Sequence, residues 1–381
     1  MPLHFGNNSS NGSLPYDTPV LRSKLAGVLA NNADMVIGVI GDSHNAASGV
    51  GSGTGYLWTN GFKYAPMHVA ARLLRASGYP ASYDGYFGQR GEIVGLPTYD
   101  PLWAMTGTWT YNNGGNKALG NGILRCTAAG TATRNTEQPW NACDVWINAS
   151  TLTSGVIEIS AVGATPVNYD FSGKTLAMTK LTITKSAVDL NPLVITCTTP
   201  MTTTGFDAIG ISAVDFRDTT QARIRIHNHA VGGAGMSVHL STTSPVTSCF
   251  PAYQTLGMDV IILESYINEI NAATPLATWL GYYTTFLNTM KTVNRDVIVY
   301  FGFPANRSWV LDGTIDVWYA ALKNLLDARQ INLIDLRSIY GTTYADCLAR
   351  GFIFDDIHPN KIALSIKATK FTENLLSSRT Y

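Results

Sequence analysis

Hydrophobic and polar positions follow one pattern at the start of the chain and another in its middle. An apolar run over 35–40 ends at Gly41, which is typical of a parallel strand buried on both faces. Helical spacing of apolar residues follows over 64–78 and stops at a glycine. A strand followed by a helix in this way indicates an α/β unit.

Residues 92–220 have a different pattern, with short runs in which apolar and polar residues alternate. The region is rich in Thr, Gly, Val and Trp, and turn residues separate the runs. The clearest predicted strands lie at 143–149, 155–162 and 180–184. Such spacing predicts a β-sandwich or jelly-roll-like module rather than more α/β structure.

The α/β pattern returns near residue 221 and continues towards the C-terminus. Apolar runs typical of buried strands lie at 222–228, 258–265, 296–303 and 331–336. Helical patterns lie at 277–291, 315–329 and 361–376. We therefore predict a doubly wound, flavodoxin-like parallel sheet in three α/β/α layers, formed by 30–91 and 221–381. Residues 92–220 are predicted to be an insert, and residues 1–29 an N-terminal arm.

Charge and composition exclude several classes of partner. The 381 residues include 26 Lys+Arg and 26 Asp+Glu, so no excess of positive charge indicates nucleic-acid binding. No run approaches the roughly 18 apolar residues of a membrane span. The N-terminus lacks the basic and apolar regions of a secretory signal. This neutral composition is typical of an extracellular protein that handles neutral or carbohydrate ligands.

The five cysteines are widely scattered, at Cys126, Cys143, Cys197, Cys249 and Cys347. No C-x-x-C pair indicates zinc or redox chemistry. We expect buried free thiols, and a bridge between Cys126 and Cys143 is the alternative.

The first predicted strand leads into the segment Gly41-Asp42-Ser43-His44. Ligands of open α/β sheets bind at the carboxyl ends of the strands, so Ser43 lies where a nucleophile is needed. Asp and Ser are also good N-cap residues, and the start of a helix is the alternative interpretation. Asp42 is expected to stabilise the turn. His44 is expected to pack or to lie at the surface rather than to contact substrate.

An aspartate and a histidine share one short segment, 352–360, just before the last predicted helix. A serine hydroxyl is a poor nucleophile unless an imidazole takes its proton and a carboxylate orients that imidazole. Asp355 and His358, three residues apart on a turn, can supply both groups. The alternative is that Asp355 or Asp356 caps the helix while His358 only packs.

Two segments can supply hydrogen-bond donors for a developing oxyanion. One strand ends in a glycine-rich turn, where Gly232 and Gly233 can bring a bare backbone N–H close to a substrate. Asn268 follows the next apolar strand and can donate from its side-chain amide. An ordinary turn and a helix cap are the respective alternatives.

The order Ser, Gly, Asn, Asp-x-x-His resembles that of the SGNH/GDSL hydrolase superfamily. The resemblance covers 30–91 and 221–381, and it implies that Ser43 is the nucleophile and that Asp355 and His358 complete the triad. It also implies an oxyanion hole made of Ser43, Gly233 and Asn268, with no cofactor and no metal. Gly88, in Y-F-G-Q-R-G, is the alternative to Gly233. The chain departs from the family where its usual G-x-N-D becomes Y-I-N-E.

The resemblance implies a serine esterase that hydrolyses O-acetyl esters in two steps. Enzymes of this kind with a β module resemble carbohydrate O-deacetylases, including those of phage tail spikes, so the expected substrate is an acetylated bacterial surface polysaccharide or a small ester. In that case the protein is extracellular or virion-associated and a homo-oligomer, a trimer if it is tail-spike-like; a cytoplasmic location is the alternative. Aromatic residues of the insert can stack on sugars or be core residues: Trp109, Tyr111, Trp140 and Trp146. Two other functions remain open, a lipase or thioesterase for longer acyl chains and a non-catalytic glycan-binding adhesin.

Overall fold

The structure of the protein is a computed structural model. It describes residues 14–46, 61–85, 100–113, 122–149, 154–175, 177–202, 210–240, 253, 256–290, 295–304, 313–355 and 357–377. Within these ranges, the strands in chain order are β1 (Met35–Gly41), β2 (Ala81–Ser82), β3 (Trp103–Met105), β4 (Trp109–Asn113), β5 (Gly122–Cys126), β6 (Gly130–Arg134), β7 (Trp140–Ala149), β8 (Ser154–Ala161), β9 (Val167–Asp170), β10 (Ala177–Asp189), β11 (Leu193–Thr202), β12 (Gly210–Arg217), β13 (Ile224–Asn228), β14 (Val260–Glu264), β15 (Asp296–Phe301) and β16 (Asn332–Asp335).

The helices of the same ranges are α1 (Pro19–Leu29), α2 (Gly61–Tyr64), α3 (Pro66–Ala76), α4 (Met236–His239), α5 (Ile267–Asn271), α6 (Leu276–Met290), α7 (Thr314–Asp327), α8 (Arg337–Tyr340), α9 (Tyr344–Ala349) and α10 (Lys361–Ser377). Among these described helices, none combines the length and the apolar character needed to cross a membrane.

Six strands form one parallel sheet in the order β16-β15-β14-β1-β13-β2. All seven residues of β1 are buried, as its continuous apolar run predicts. Within this sheet, the strands that follow β2 in the chain are β13 and β14, and they lie on opposite sides of β1. The connections therefore reverse direction beside β1, and ligands of open α/β sheets bind at the carboxyl ends of the strands at such a reversal.

Helices cover both faces of this sheet. On one face, side chains such as Ile37 and Val39 join a hydrophobic cluster with α1, α3 and α10. On the other face, neighbours such as Val36 and Ile40 join a cluster with α6 and α7. Alternate residues of each strand thus face opposite layers, as the period of a strand requires. The predicted α/β class with a central parallel sheet is confirmed.

Strands β3 to β12 form two antiparallel sheets of five strands each. Their orders are β10-β7-β12-β5-β4 and β3-β6-β11-β8-β9. Residues of both sheets, including Val145 and Ile157, belong to one hydrophobic cluster. Buried residues alternate with partly exposed ones along β8, which matches the alternation read from the sequence. Antiparallel strands are therefore present where this alternation predicts them.

The last part of the predicted N-terminal arm, 1–29, is helical. Its last eleven residues form α1, and Leu21, Leu25 and Val28 are buried against the sheet. The backbone N–H of Leu21 donates to Asp296 Oδ2 at 2.7 Å, which attaches the helix to the start of β15. With Val20, four buried apolar residues make α1 a covering helix, even though polar residues precede them.

The cysteines that the structure describes are buried free thiols: Cys126, Cys143, Cys197 and Cys347. The alternative of a bridge between Cys126 and Cys143 is therefore wrong. Burial raises the pKa of the Cys143 thiol well above its ordinary value, so it packs as a small apolar side chain. Cys249 lies outside the described residues.

Candidate active site

Ser43 lies in the turn that directly follows β1. The turn is closed by the backbone N–H groups of Asn45 and Ala46, which both donate to Asp42 O at 3.2 Å. The side chain of Asp42 accepts from the N–H of His44 at 3.0 Å, so Asp42 stabilises the turn as expected. Ser43 is 6% exposed and lies at the carboxyl end of β1, beside the reversal of connections.

His358 meets Ser43 from the opposite end of the chain. Its Nε2 lies 3.1 Å from Ser43 Oγ, and its Nδ1 lies 2.9 Å from Asp355 Oδ2. With a proton on Nδ1, the imidazole donates to the carboxylate and presents the Nε2 lone pair to the serine hydroxyl. This arrangement can remove a proton from Ser43.

The carboxylate of Asp355 is held by its own loop. Its Oδ1 accepts from the backbone N–H groups of Ile357 and His358, both at 2.8 Å. Burial alone raises the pKa of Asp355, but the hydrogen bond and charge of His358 and these two N–H groups outweigh it and lower the pKa. Asp355 therefore stays ionised beside the imidazole.

The N-terminus of the final helix, α10, is capped by Asn360. Asn360 Oδ1 accepts from the N–H groups of Ile362 and Ala363, at 3.0 and 3.1 Å. Asp355 is thus not the cap, because its oxygens bind the histidine loop. Asp356 lies outside the described residues.

The glycine turn after β13 lies beside the serine turn. Val231 N–H donates to Gly41 O at 2.9 Å, which extends the contact between β13 and β1 into the loop. Gly233 has φ of +73°, in the left-handed region that favours glycine, and it is exposed. Gly232 is buried. The alternative glycine, Gly88, lies outside the described residues.

Asn268 lies at the start of α5 and points towards the glycine turn. Its Nδ2 donates to Ala234 O at 2.9 Å, and the residue is half-buried. The structure thus brings Asn268 and the segment after Gly233 together, although the family's glycine before the asparagine is absent from the sequence. Because a side-chain amide carries two hydrogens, Asn268 can also donate to a second acceptor.

His44 packs behind the candidate triad and does not lie at the surface. It is 1% exposed, and its Nε2 lies 2.8 Å from Ile357 O. Burial lowers the pKa of His44 to about 4, so the ring is neutral and donates to that carbonyl. His44 therefore attaches the serine turn to the loop between Asp355 and His358.

His239 has a positioning contact that the sequence analysis missed. Its Nε2 lies 3.0 Å from Gly41 O, and its Nδ1 lies 3.0 Å from the hydroxyl of Tyr253. Because a carbonyl only accepts, the proton is on Nε2 and the tyrosine hydroxyl donates to Nδ1. A lone histidine in a short helix gives no sequence signal of this contact.

Glu269 is a buried acid next to Asn268. It is 3% exposed, its Oε1 accepts from Met236 N–H, and a Cβ on Gly235 would lie 2.6–3.2 Å from its carboxyl atoms. Burial raises the pKa of Glu269 to about 7. The two neighbours Asn268 and Glu269 thus both contact the segment that follows Gly233.

Glu269→Gln is expected to stabilise the protein at alkaline pH. The pKa of Glu269 is raised from 4.5 to about 7 in the folded protein. The free energy of unfolding of the wild type therefore falls as the pH rises from 4.5 to about 7, and it stays reduced at higher pH. This difference between the two pKa values corresponds to about 3 kcal/mol in the free energy of unfolding. Glutamine keeps an acceptor for Met236 N–H and removes the charge. Urea unfolding should therefore show a variant more stable than wild type at pH 8, by up to about 3 kcal/mol.

Near pH 4.5 the two proteins should be equally stable, because the wild-type carboxyl is then protonated. Asp42, whose pKa burial raises to about 6, titrates in the same window but is common to both proteins. Equal stability at pH 8 would contradict the expected cost of ionising Glu269.

The aromatic residues proposed to stack on sugars have different environments. Trp140 is 1% exposed in the core of the antiparallel sheets and donates to Asn191 O at 2.9 Å, so its proposed stacking is wrong. Trp109 and Trp146 are half-buried and pack against hydrophobic clusters. The side chain of Tyr111 lies outside the described part.

Comparison with solved structures places this chain in a known fold. A peptidoglycan O-acetylesterase is 15% identical, with a TM-score of 0.67 over 95% of this chain and 97% of that chain. Two further similar structures have lower scores: a GDSL-like lipase from Bacteroides thetaiotaomicron (12% identity, 40% and 75% covered, TM-score 0.34) and a family two carbohydrate esterase from Cellvibrio japonicus (11% identity, 74% and 96% covered, TM-score 0.32). No family model matches the sequence, and no curated protein matches it.

Over 95% of its length, the chain shares the fold of the peptidoglycan O-acetylesterase.

Proposed function

We propose that the protein is a serine esterase that removes O-acetyl groups from carbohydrate, with Ser43 as nucleophile. The observation that carries this proposal is the 3.1 Å separation of His358 Nε2 and Ser43 Oγ, with Asp355 on the far side of the imidazole. Two segments from opposite ends of the chain converge here at the carboxyl end of β1, where ligands of open α/β sheets bind.

In the proposed reaction, His358 accepts the hydroxyl proton while Ser43 Oγ attacks the acetyl carbonyl carbon. The oxyanion that forms accepts hydrogen bonds from the N–H groups of Ser43 and Gly233 and from the amide of Asn268, each worth about 3 kcal/mol. His358 then donates its proton to the departing sugar oxygen, which leaves an acetyl-serine. Water attacks the carbonyl carbon of this ester while His358 takes one of the water's protons. His358 then gives that proton to Ser43 Oγ as the bond between Oγ and the carbonyl carbon breaks, and the acetic acid leaves and ionises to acetate.

The substrate class rests on the fold and its extra sheets. The enzyme whose structure is similar to this one over 95% of the chain is, by its name, an O-acetylesterase of peptidoglycan. We infer that the two antiparallel sheets, which share one hydrophobic cluster, form a β-sandwich inserted at 92–220 into a hydrolase domain made of 30–91 and 221–381. An acetylated carbohydrate polymer is therefore the proposed substrate.

Nitrophenyl esters of increasing acyl chain length test which acyl group the enzyme prefers. Acetate release from O-acetylated bacterial polysaccharide tests whether a carbohydrate ester is a substrate. We expect kcat/KM for nitrophenyl acetate to exceed that for nitrophenyl octanoate by at least about tenfold, because the proposed site accepts an acetyl group and not a longer chain. Values that rise with chain length would identify a lipase or thioesterase instead. Binding of the polysaccharide without turnover of any ester would identify an adhesin.

A further inference from the structure

A buried ion pair joins α10 to the end of β14. Lys367 Nζ contacts Glu264 Oε2, and the two side chains are 2% and 1% exposed. Lys367 lies on the core-facing side of its helix, between the buried residues Leu364 and Phe371. Removing two charges from water costs free energy that their attraction does not always offset, so stability alone is weak grounds for such a pair.

Asn45 closes this pair into a three-residue network. Its Oδ1 accepts from Lys367 Nζ at 2.7 Å, and its Nδ2 donates to Glu264 Oε2 at 3.0 Å. Its carbonyl oxygen accepts from Asn228 Nδ2, at the end of β13, at 3.0 Å. A Cβ on Gly41 would collide with the Asn45 side chain and with Glu264 O, so this close packing requires the glycine. Asn45 thus contacts the ends of both strands that flank β1.

The same network links the two distant segments of the candidate triad. Asn45 is two residues after Ser43, in a turn closed by its own N–H on Asp42 O. Lys367 is in α10, the helix that begins at Lys361, just after the loop that carries His358. A hydrogen bond from Lys367 to Asn45 therefore fixes that helix relative to the serine turn.

We propose that Lys367 is a positioning residue of the esterase, which sets the separation of His358 and Ser43 through its contacts with Asn45 and Glu264. The proposal rests on the proposed function. Lys367 does not touch the reacting atoms. Its effect is on geometry, and a shift of about 1 Å between catalytic groups can cost about 100-fold in rate.

The test is the double variant Lys367→Met/Glu264→Gln. It removes both charges together, so that no lone buried charge unfolds the protein, and its glutamine can still accept from Asn45 Nδ2. For nitrophenyl acetate we expect kcat to fall at least about tenfold while KM changes less than about twofold. The rate at which a fluorophosphonate modifies Ser43 should fall by the same factor, a readout that a purely structural role would not change.

Two further variants complete the test. Lys185→Met is the control: it removes another buried lysine, paired with Asp189 in β10, and it should lower the unfolding temperature without changing kcat. Lys367→Arg keeps both buried charges paired but places a larger, planar group beside Asn45, and it should lower kcat at least about threefold, so the lysine is tested even if the double variant does not fold.

A folded double variant with wild-type kcat would overturn the positioning role and leave the esterase proposal intact. A folded Lys367→Arg variant with wild-type kcat would also overturn it, because the separation of His358 and Ser43 would then not depend on how the lysine is placed. Wild-type protein without Ser43-dependent turnover would instead overturn the proposed function, and the positioning role with it.

Discussion

Ser43→Ala is expected to lower kcat/KM for nitrophenyl acetate by about four to six orders of magnitude. The hydroxyl is the atom that forms the acyl-enzyme, and alanine leaves only the oxyanion donors to act on a bound ester. Because Ser43 is 6% exposed and its hydroxyl contacts His358 at 3.1 Å, the substitution removes one small polar group and should leave the fold intact. Hydrolysis followed by absorbance of the released nitrophenol gives the measurement.

Ser82→Ala is the matched control for this prediction. Ser82 is also 6% exposed and ends β2, at the edge of the same parallel sheet. It should keep kcat/KM within about threefold of wild type. Ser43→Ala protein that retained a tenth of the activity would exclude Ser43 as the nucleophile.

Asp355→Asn is expected to lower kcat by about 10,000-fold. Two backbone N–H groups, of Ile357 and His358, donate to Oδ1, so an asparagine must keep its oxygen at that position. Its NH2 group then takes the place of Oδ2, 2.9 Å from His358 Nδ1. A donor facing Nδ1 forces the ring proton onto Nε2, and the imidazole can no longer accept the proton of Ser43.

Asp346→Asn is the control, since Asp346 is an exposed acid in the nearby helix α9. Its kcat should match that of wild type. The unfolding temperature of Asp355→Asn should stay close to that of wild type, because the two backbone hydrogen bonds are retained. More than about a tenth of the wild-type kcat in Asp355→Asn would contradict the role assigned to the carboxylate.

Much of the fold could be predicted because strand periodicity is local. Runs such as Met35–Gly41 are apolar at every position, and only a parallel strand covered on both faces buries all of them. The alternation along β8 is equally local. The helix α1 was missed because its apolar residues follow a polar segment, and its burial depends on a sheet formed by distant strands.

The candidate site could be predicted only where residue type and order are themselves informative. Ser43, Asp355 and His358 were found because each follows a predicted strand or precedes a helix, and their catalytic roles stay predictions. The positions of Glu264 and Lys367 could not be inferred, because buried ion pairs are chosen by tertiary contact. One signal was available: Lys367 is a lysine within the apolar stripe of an amphipathic helix.

The central claim is that Ser43 is an activated nucleophile, and mass spectrometry of the protein after reaction with a fluorophosphonate tests it most directly. The account predicts one adduct per chain, on Ser43, formed at a rate that falls at least about 1,000-fold in His358→Ala. An esterase-active protein that carried no adduct on Ser43, or the same labelling rate without His358, would contradict it.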